Sequence, residues 1–271
     1  MRILKFLPFF ENISENPIAD IQEYNQKMKN AFFDKLFFLG KIKFDALVDF
    51  GCADGSLLEK ISKYSKADLF GYDVEPHAVD LSKNRLGNKA TILDNWHEIL
   101  GQVNEYHSPA ILLSSVIHEV YSYDKYVNYF WNDCVFNDKF KYIIIRDMIP
   151  SGDIDDVHNF SEDVRKVKSK INNKYLNDFE KIWGKMEDSY RQFAHFLLKY
   201  KYIHNWNREV KENYLPLTIS ELKEKIPSGY EIVYESNFIL PYLQQEVNRD
   251  FGIKFRQPTH TKMIIKNNNF K

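Results

Sequence analysis

The chain has 271 residues, with 37 Lys or Arg against 38 Asp or Glu and a formal net charge of −1 at pH 7. A balance this even, with 44% hydrophobic and 28% charged residues, suits a globular chain with a sizeable core and excludes polyanion binding through a general basic excess. Two cysteines, Cys52 and Cys134, are too few for a disulfide framework, no apolar run is long enough to span a bilayer, and Glu11 and Glu15 interrupt the apolar start; a cytoplasmic protein away from the membrane is expected.

In chain order, residues 17–39 place Ile18, Ile21, Tyr24, Met28, Phe32 and Leu36 at steps of three and four. That spacing predicts an amphipathic helix stopped at Gly40. A regular alternation follows. Ala46 to Phe50 is a buried-strand run ending in a glycine turn, and Leu57, Leu58 and Ile61 give the inner face of a helix. Asp68 to Tyr72 reads as strand and Pro76 to Arg85 as helix, with Pro76 at a first helical position. Ala90 to Leu93, Ala110 to Leu113 and Tyr142 to Arg146 read as further strands, with a helix from about His118. Strands alternating with helices predict βαβ units and a mostly parallel sheet.

After Pro150 the period changes. Apolar residues from Val164 to Tyr200 recur at steps of three or four, which unbroken would make a helix of about 55 Å. A break is expected near Asn172-Asn173 or Gly184. Thr218 and Glu221 form a capping-box pattern. Tyr230 to Tyr234 and Thr261 to Lys266 read as closing strands around a helix near Tyr242 to Arg249.

The chemistry concentrates at strand ends. Leu47-Val48-Asp49-Phe50-Gly51-Cys52-Ala53-Asp54-Gly55 runs a buried strand into a turn with a glycine at each end, and a helix begins at once. The glycines permit a tight turn and a close ligand approach, and amides at the helix start favour electronegative groups. This stretch resembles the first motif of the class I S-adenosylmethionine-dependent methyltransferases, whose pattern is apolar, Asp, apolar, Gly-x-Gly-x-Gly. Ala53 stands at the middle glycine.

The resemblance implies that Asp49, Gly51, Cys52, Ala53 and Gly55 belong to a loop around the methionine part of S-adenosylmethionine. Leu69-Phe70-Gly71-Tyr72-Asp73 ends in an acid about 20 residues after the first glycine, where a carboxylate can accept from both ribose hydroxyls. Asp73 takes that role by the resemblance, with Glu75 as its alternate. A nicotinamide dehydrogenase would use the same acid but with a third close glycine, and position 54 is Asp. In Ile92-Leu93-Asp94-Asn95-Trp96, similar enzymes contact the adenine amino group; Asp94 and the Asn95 backbone are the candidates, against a plain helix cap at Asp94. In Leu112-Leu113-Ser114-Ser115-Val116-Ile117-His118-Glu119-Val120, Ser114 and Ser115 would border the cofactor. His118 is the candidate base, against local packing of a helix-start imidazole.

Together these features predict an α/β, Rossmann-like, doubly wound sheet of seven mostly parallel strands, with an antiparallel closing strand and a helical insertion after the fifth. The expected divisions are an N-terminal helical segment over 1–45, a cofactor-binding core over 46–150, an insertion over 151–217 and a C-terminal completion over 218–271. The insertion is expected to be a mobile helical cover over the acceptor site. No metal site is expected, since His195 and His204 lack close ligands and His118-Glu119 does not extend to an HExxH motif. The expected activity is methyl transfer to an O or N atom of a small molecule. RNA is the alternative acceptor, resting on Lys166, Lys168, Lys170 and Lys174, and a catalytically silent partner subunit is the alternative of another class.

Overall fold

The computed structural model describes residues 32–122 and 126–271. The predicted N-terminal helix lies mostly outside these residues. Its described end, α1 (Phe32–Lys35), stops before Gly40, and single turns carry the chain onward from Leu36.

Seven strands form one sheet in the order β3-β2-β1-β4-β5-β7-β6. They are β1 (Ala46–Phe50), β2 (Asp68–Tyr72), β3 (Thr91–Leu93), β4 (Pro109–Ser114), β5 (Tyr142–Asp147), β6 (Tyr230–Phe238) and β7 (His260–Asn267). Strands β1 to β5 pair in parallel, and β7 runs antiparallel between β5 and β6. The order reverses between β1 and β4, so the carboxyl ends of those two strands flank the crevice where open α/β sheets take their ligands. Every residue of β1 and β4 is buried, as expected of central parallel strands covered on both faces. Alternate side chains divide between the faces. Val48, Ile111, Ile143, Ile145 and Ile265 join one core. Leu47, Leu112, Ile144 and Ile264 join the other.

The crossover helices are α2 (Ser56–Ile61), α3 (Pro76–Leu86), α4 (Trp96–Val103) and α5 (Ile117–Tyr121). Glu75 caps α3, its carboxylate accepting from the Ala78 amide at 2.5 Å. Asn95, not Asp94, caps α4 by accepting from the His97 amide at 3.0 Å, which corrects the cap reading for Asp94. Helix α5 starts at Ile117, one residue earlier than expected, and is short.

After β5 comes the insertion: α6 (Ser161–Lys168), α7 (Asn173–Trp183), α8 (Tyr190–Tyr200) and α9 (Trp206–Glu209). The run breaks at both of the alternative places. Asn172 caps α7, and Gly184 ends it at φ 85°, a conformation glycine adopts without a Cβ penalty. Ser189 then caps α8. Their apolar stripes meet in a core of their own, built from Val167, Phe179, Phe193, Phe196 and Leu197. That core also contains Leu243, Val247 and Phe251 of α11 (Pro241–Phe251), so the insertion packs on a C-terminal helix rather than standing alone. The Thr218–Glu221 capping box is formed at the start of α10 (Ile219–Glu224). Among the described residues, no helix is long and apolar enough to cross a membrane.

Candidate active site

The loop from β1 to α2 takes its shape from three left-handed residues, Gly51 at φ 79°, Ala53 at φ 47° and Gly55 at φ 74°. Ala53 thus holds a left-handed backbone state that a glycine would adopt freely, at a steric cost of roughly 1–2 kcal/mol. The need for glycine at 51 has a specific cause: a Cβ there would lie 2.7 Å from Val116 Cγ2. Protein, not ligand, fills that space.

The loop amides are largely engaged within the protein. Gly51 and Cys52 donate to the Tyr72 carbonyl at 2.8 and 3.0 Å, and Gly55 donates to Cys52 at 2.9 Å. Ala53 donates to Asp73 Oδ2 at 2.8 Å, while Asp73 Oδ1 accepts from the Glu75 amide at 3.0 Å. A row of free amides facing an anion is therefore not what this loop offers; its contribution is shape. Cys52 is a packing residue. It is 4% exposed, its Sγ lies against Gly71, and burial pushes its thiol pKa up.

Asp73 is half-buried, and desolvation raises its pKa against the amides that lower it. Each of its oxygens accepts one backbone amide and keeps a lone pair for another donor. Asp94 and Asn95 are exposed beyond the end of β3. Ser114 ends β4 with a buried Oγ that has no hydrogen-bond partner among the described residues, a group that calls for a further partner. Asp49 is 2% exposed; burial lifts its pKa to about 7, Lys35 opposing and Asp73 adding to the shift. Lys35 is itself buried and lowered to about 8, first by desolvation and then by Arg146. Asp34 ties this end of α1 to the sheet through Arg146 at 2.7 Å and through Lys262.

Across the crevice, β5 ends in Asp147. Its Oδ2 accepts from the Val116 and Ile117 amides at 2.8 and 2.7 Å, and its Oδ1 from the Met148 amide at 2.7 Å and His118 Nδ1 at 2.8 Å. A carboxylate so supplied with donors stays ionised: burial opposes its charge, but His118 and the amides outweigh it and lower the pKa. For His118 burial likewise opposes charge, and Asp147 prevails, so its pKa is raised. Because Asp147 only accepts, Nδ1 carries the hydrogen and the neutral ring has its lone pair at Nε2.

That nitrogen faces a cavity of about 80 Å³, lined by Lys35, Ser115, His118, Glu119, Glu212 and Tyr214 among others. Ser115 is held at φ 61° at its edge, the kind of backbone strain that clusters at functional sites. The far wall comes from the insertion. Arg208 reaches Glu212 at 2.9 Å and Glu119 at 3.4 Å. Buried Lys199 donates to the Glu209 carbonyl at 2.5 Å and to the Glu212 carbonyl, fixing the 209–212 turn. Desolvation brings the Lys199 pKa down to about 7.

The structure brings Asp49, Gly51, Ala53, Gly55, Asp73, Asp94, Asn95, Ser114 and His118 to one edge of the sheet. Sequence reasoning missed Asp147, Glu119, Glu212 and Lys35. Asp147 had a readable signal, an acid ending an apolar strand. Glu212 had none, since only folding of the insertion sets it beside His118.

No family model and no curated protein matches the chain. Solved structures do. The plantazolicin methyltransferase BamL, in complex with a triazolic desmethylPZN analogue and SAH, is 14% identical, with 93% of this chain and 90% of that one covered and a TM-score of 0.52. A SAM-dependent methyltransferase from Archaeoglobus fulgidus is 13% identical, with 89% and 94% covered and a TM-score of 0.49. At such identity the first likeness is one of fold. Together with the seven-stranded order and its antiparallel β7, it gives this chain the Rossmann-like fold of the class I SAM-dependent methyltransferases.

Proposed function

We propose that the protein is a SAM-dependent methyltransferase acting on an O or N atom of a small molecule. The observation that carries this reading is the joining of two half-sites at the switch point of the sheet. On one side lies the left-handed loop with Asp73, and on the other the His118 cavity, with the Ser114 Oγ, unpartnered among the described residues, between them at the end of β4. S-adenosylmethionine supplies a methyl group on a positively charged sulfur. Asp73 would accept from its ribose, Asp94 and the Asn95 backbone would meet its adenine, and Ser114 would donate to it. Asp49 would answer its positive charge.

The remaining work is alignment and exclusion of water, which can account for much of the barrier reduction in such a displacement. The cavity walls do this by enclosing the acceptor between β4, β5 and the insertion. His118 acts on the acceptor through Nε2, with Asp147 holding the ring.

Of the four lysines behind the RNA alternative, two are engaged within the protein. Lys168 pairs with Glu187 at 2.8 Å and Glu180 at 3.5 Å, and Lys170 donates to the Asp250 carbonyl at 2.8 Å. Calorimetric titration with SAM and with SAH, followed by methyl-label transfer against metabolite and RNA pools, tests the reading. One saturable SAM site and label in a small molecule are expected. Absence of SAM binding would refute the enzyme reading, binding without transfer would favour a silent subunit, and label in RNA would overturn the acceptor class.

A further inference from the structure

We propose that His118, Glu119 and Glu212 form a divalent-cation site in the wall of the cavity, suited to manganese or zinc. One ligand atom from each lies within 4.8 Å of the others. The set joins two adjacent residues of α5 to one from the turn after α9. No sequence motif announces it.

Three features set it apart from an ordinary acidic cluster. The first is the imidazole: its side chain is only 7% exposed, Nδ1 is committed to Asp147, and Nε2 points into the cavity with no hydrogen bond among the described residues. The nearest carboxylate atom to it is Glu212 Oε2 at 3.9 Å, too far for a hydrogen bond. A carboxylate behind the far nitrogen is the usual way a metal-binding histidine is oriented and made more basic. The second is the way the two glutamates are held. Arg208 takes Glu212 by Oε1 and Glu119 by Oε1, leaving Glu212 Oε2 turned toward His118. Arg208 thus orients the carboxylates from outside the triad and need not leave. The third is room: the cavity of about 80 Å³ accommodates an ion with a water or two.

Ligand bonds of roughly 2.1 Å require the three atoms to draw together by about an ångström. The partly exposed glutamate side chains can supply that movement. One imidazole and two carboxylates leave open positions on the ion. One of these would hold a lone pair of an acceptor oxygen or nitrogen beside Ser115 and Tyr214, so that with the ion bound His118 Nε2 would act on the acceptor through the metal and not as a free base. That consequence rests on reading the cavity as the acceptor subsite; the binding of the ion does not.

The test uses the full chain, stripped of metal and free of SAM, titrated with Co²⁺ by visible absorption and with Mn²⁺ by calorimetry. One equivalent of each is expected, with a cobalt band that Zn²⁺ displaces. Glu212→Gln, a near-isosteric change at a side chain 14% exposed, is expected to weaken both ions at least tenfold, and His118→Ala to abolish the band. If neither ion binds, or if Glu212→Gln binds both as tightly as the parent, the site is refuted, and the cluster is an ion-pair network satisfied by Arg208. SAM affinity measured separately without metal keeps the two readings distinguishable, since either can fail while the other stands.

Discussion

At Asp73 one carboxylate serves two purposes, holding the loop through the Ala53 amide and presenting lone pairs to a ligand. Asp73→Ala should therefore lower SAM affinity tenfold or more, since each charge-assisted bond lost is worth roughly 1.5–3 kcal/mol. Calorimetry would show it, and an unchanged Kd would remove Asp73 from the ribose role. Asp49 behaves differently. Its folded pKa of about 7 stands above the ordinary 3.8 because burial disfavours the charge. Between those values the folded state binds more protons than the unfolded one, so this group's contribution to stability is complete near pH 4 and is lost as pH rises toward 7. The ligand-free Asp49→Asn variant should gain on the parent over that window and hold a constant lead above it. The ceiling of that lead is about 4 kcal/mol at 1.36 kcal/mol per unit. Urea melts at pH 4.5 and 8 decide the matter: a lead that shrinks with rising pH would mean that Lys35 keeps Asp49 ionised.

Among the elements, the β1–α2 loop is the most constrained. Gly51→Ala adds a Cβ at φ 79° and sets it 2.7 Å from Val116 Cγ2. The expected cost is about 1–2 kcal/mol of backbone strain plus displacement of α5, read as a lower melting temperature and weaker SAM binding together. A variant that melts and binds like the parent would show that the turn is not held as described. This loop, like β1 and β2, was legible because an unbroken apolar run ending in Gly or Asp has few other readings. The breaks at Asn172 and Gly184 and the Thr218 box were legible for a similar reason, as residues with a local conformational meaning. What was not legible depends on facing and on distance along the chain. Cys52 sits inside the motif, yet its side chain turns into the core under Gly71, and adjacency in sequence says nothing about which face a loop residue takes. Amides at the helix start read as open to electronegative groups, but in the loop that leads there β2 and Asp73 hold those of 51, 52 and 53. Asp147 and Glu212 meet His118 only because β5 lies beside β4 and the insertion folds back over both.

Across the whole molecule, two packing units share the candidate site. The sheet with its two apolar faces supplies Asp73, Ser114, His118 and Asp147, while the insertion core supplies Arg208, Glu212 and Tyr214. Helix α8 buries Tyr190 and every residue from Phe193 to Lys199, and its core is continuous with α11. A cover built this way would open as a body rather than fray helix by helix, because separating α8 from α11 would expose their common core. Phe193→Ala tests this. Phe193 is 1% exposed at the centre of that core, and its truncation should cost about 3–5 kcal/mol by lost burial and the cavity left behind. Local opening free energies follow cooperative units. Native-state hydrogen exchange on the variant should therefore show α7, α8 and α11 losing protection by the same amount, with β1 and β4 retaining more than they do. Added SAH should restore protection in the insertion if closing the cavity is linked to cofactor binding. Equal loss in the sheet and the insertion would mean that the chain opens only as a whole. The insertion would then be a fixed buttress of the site, and acceptor entry would require another route into the cavity.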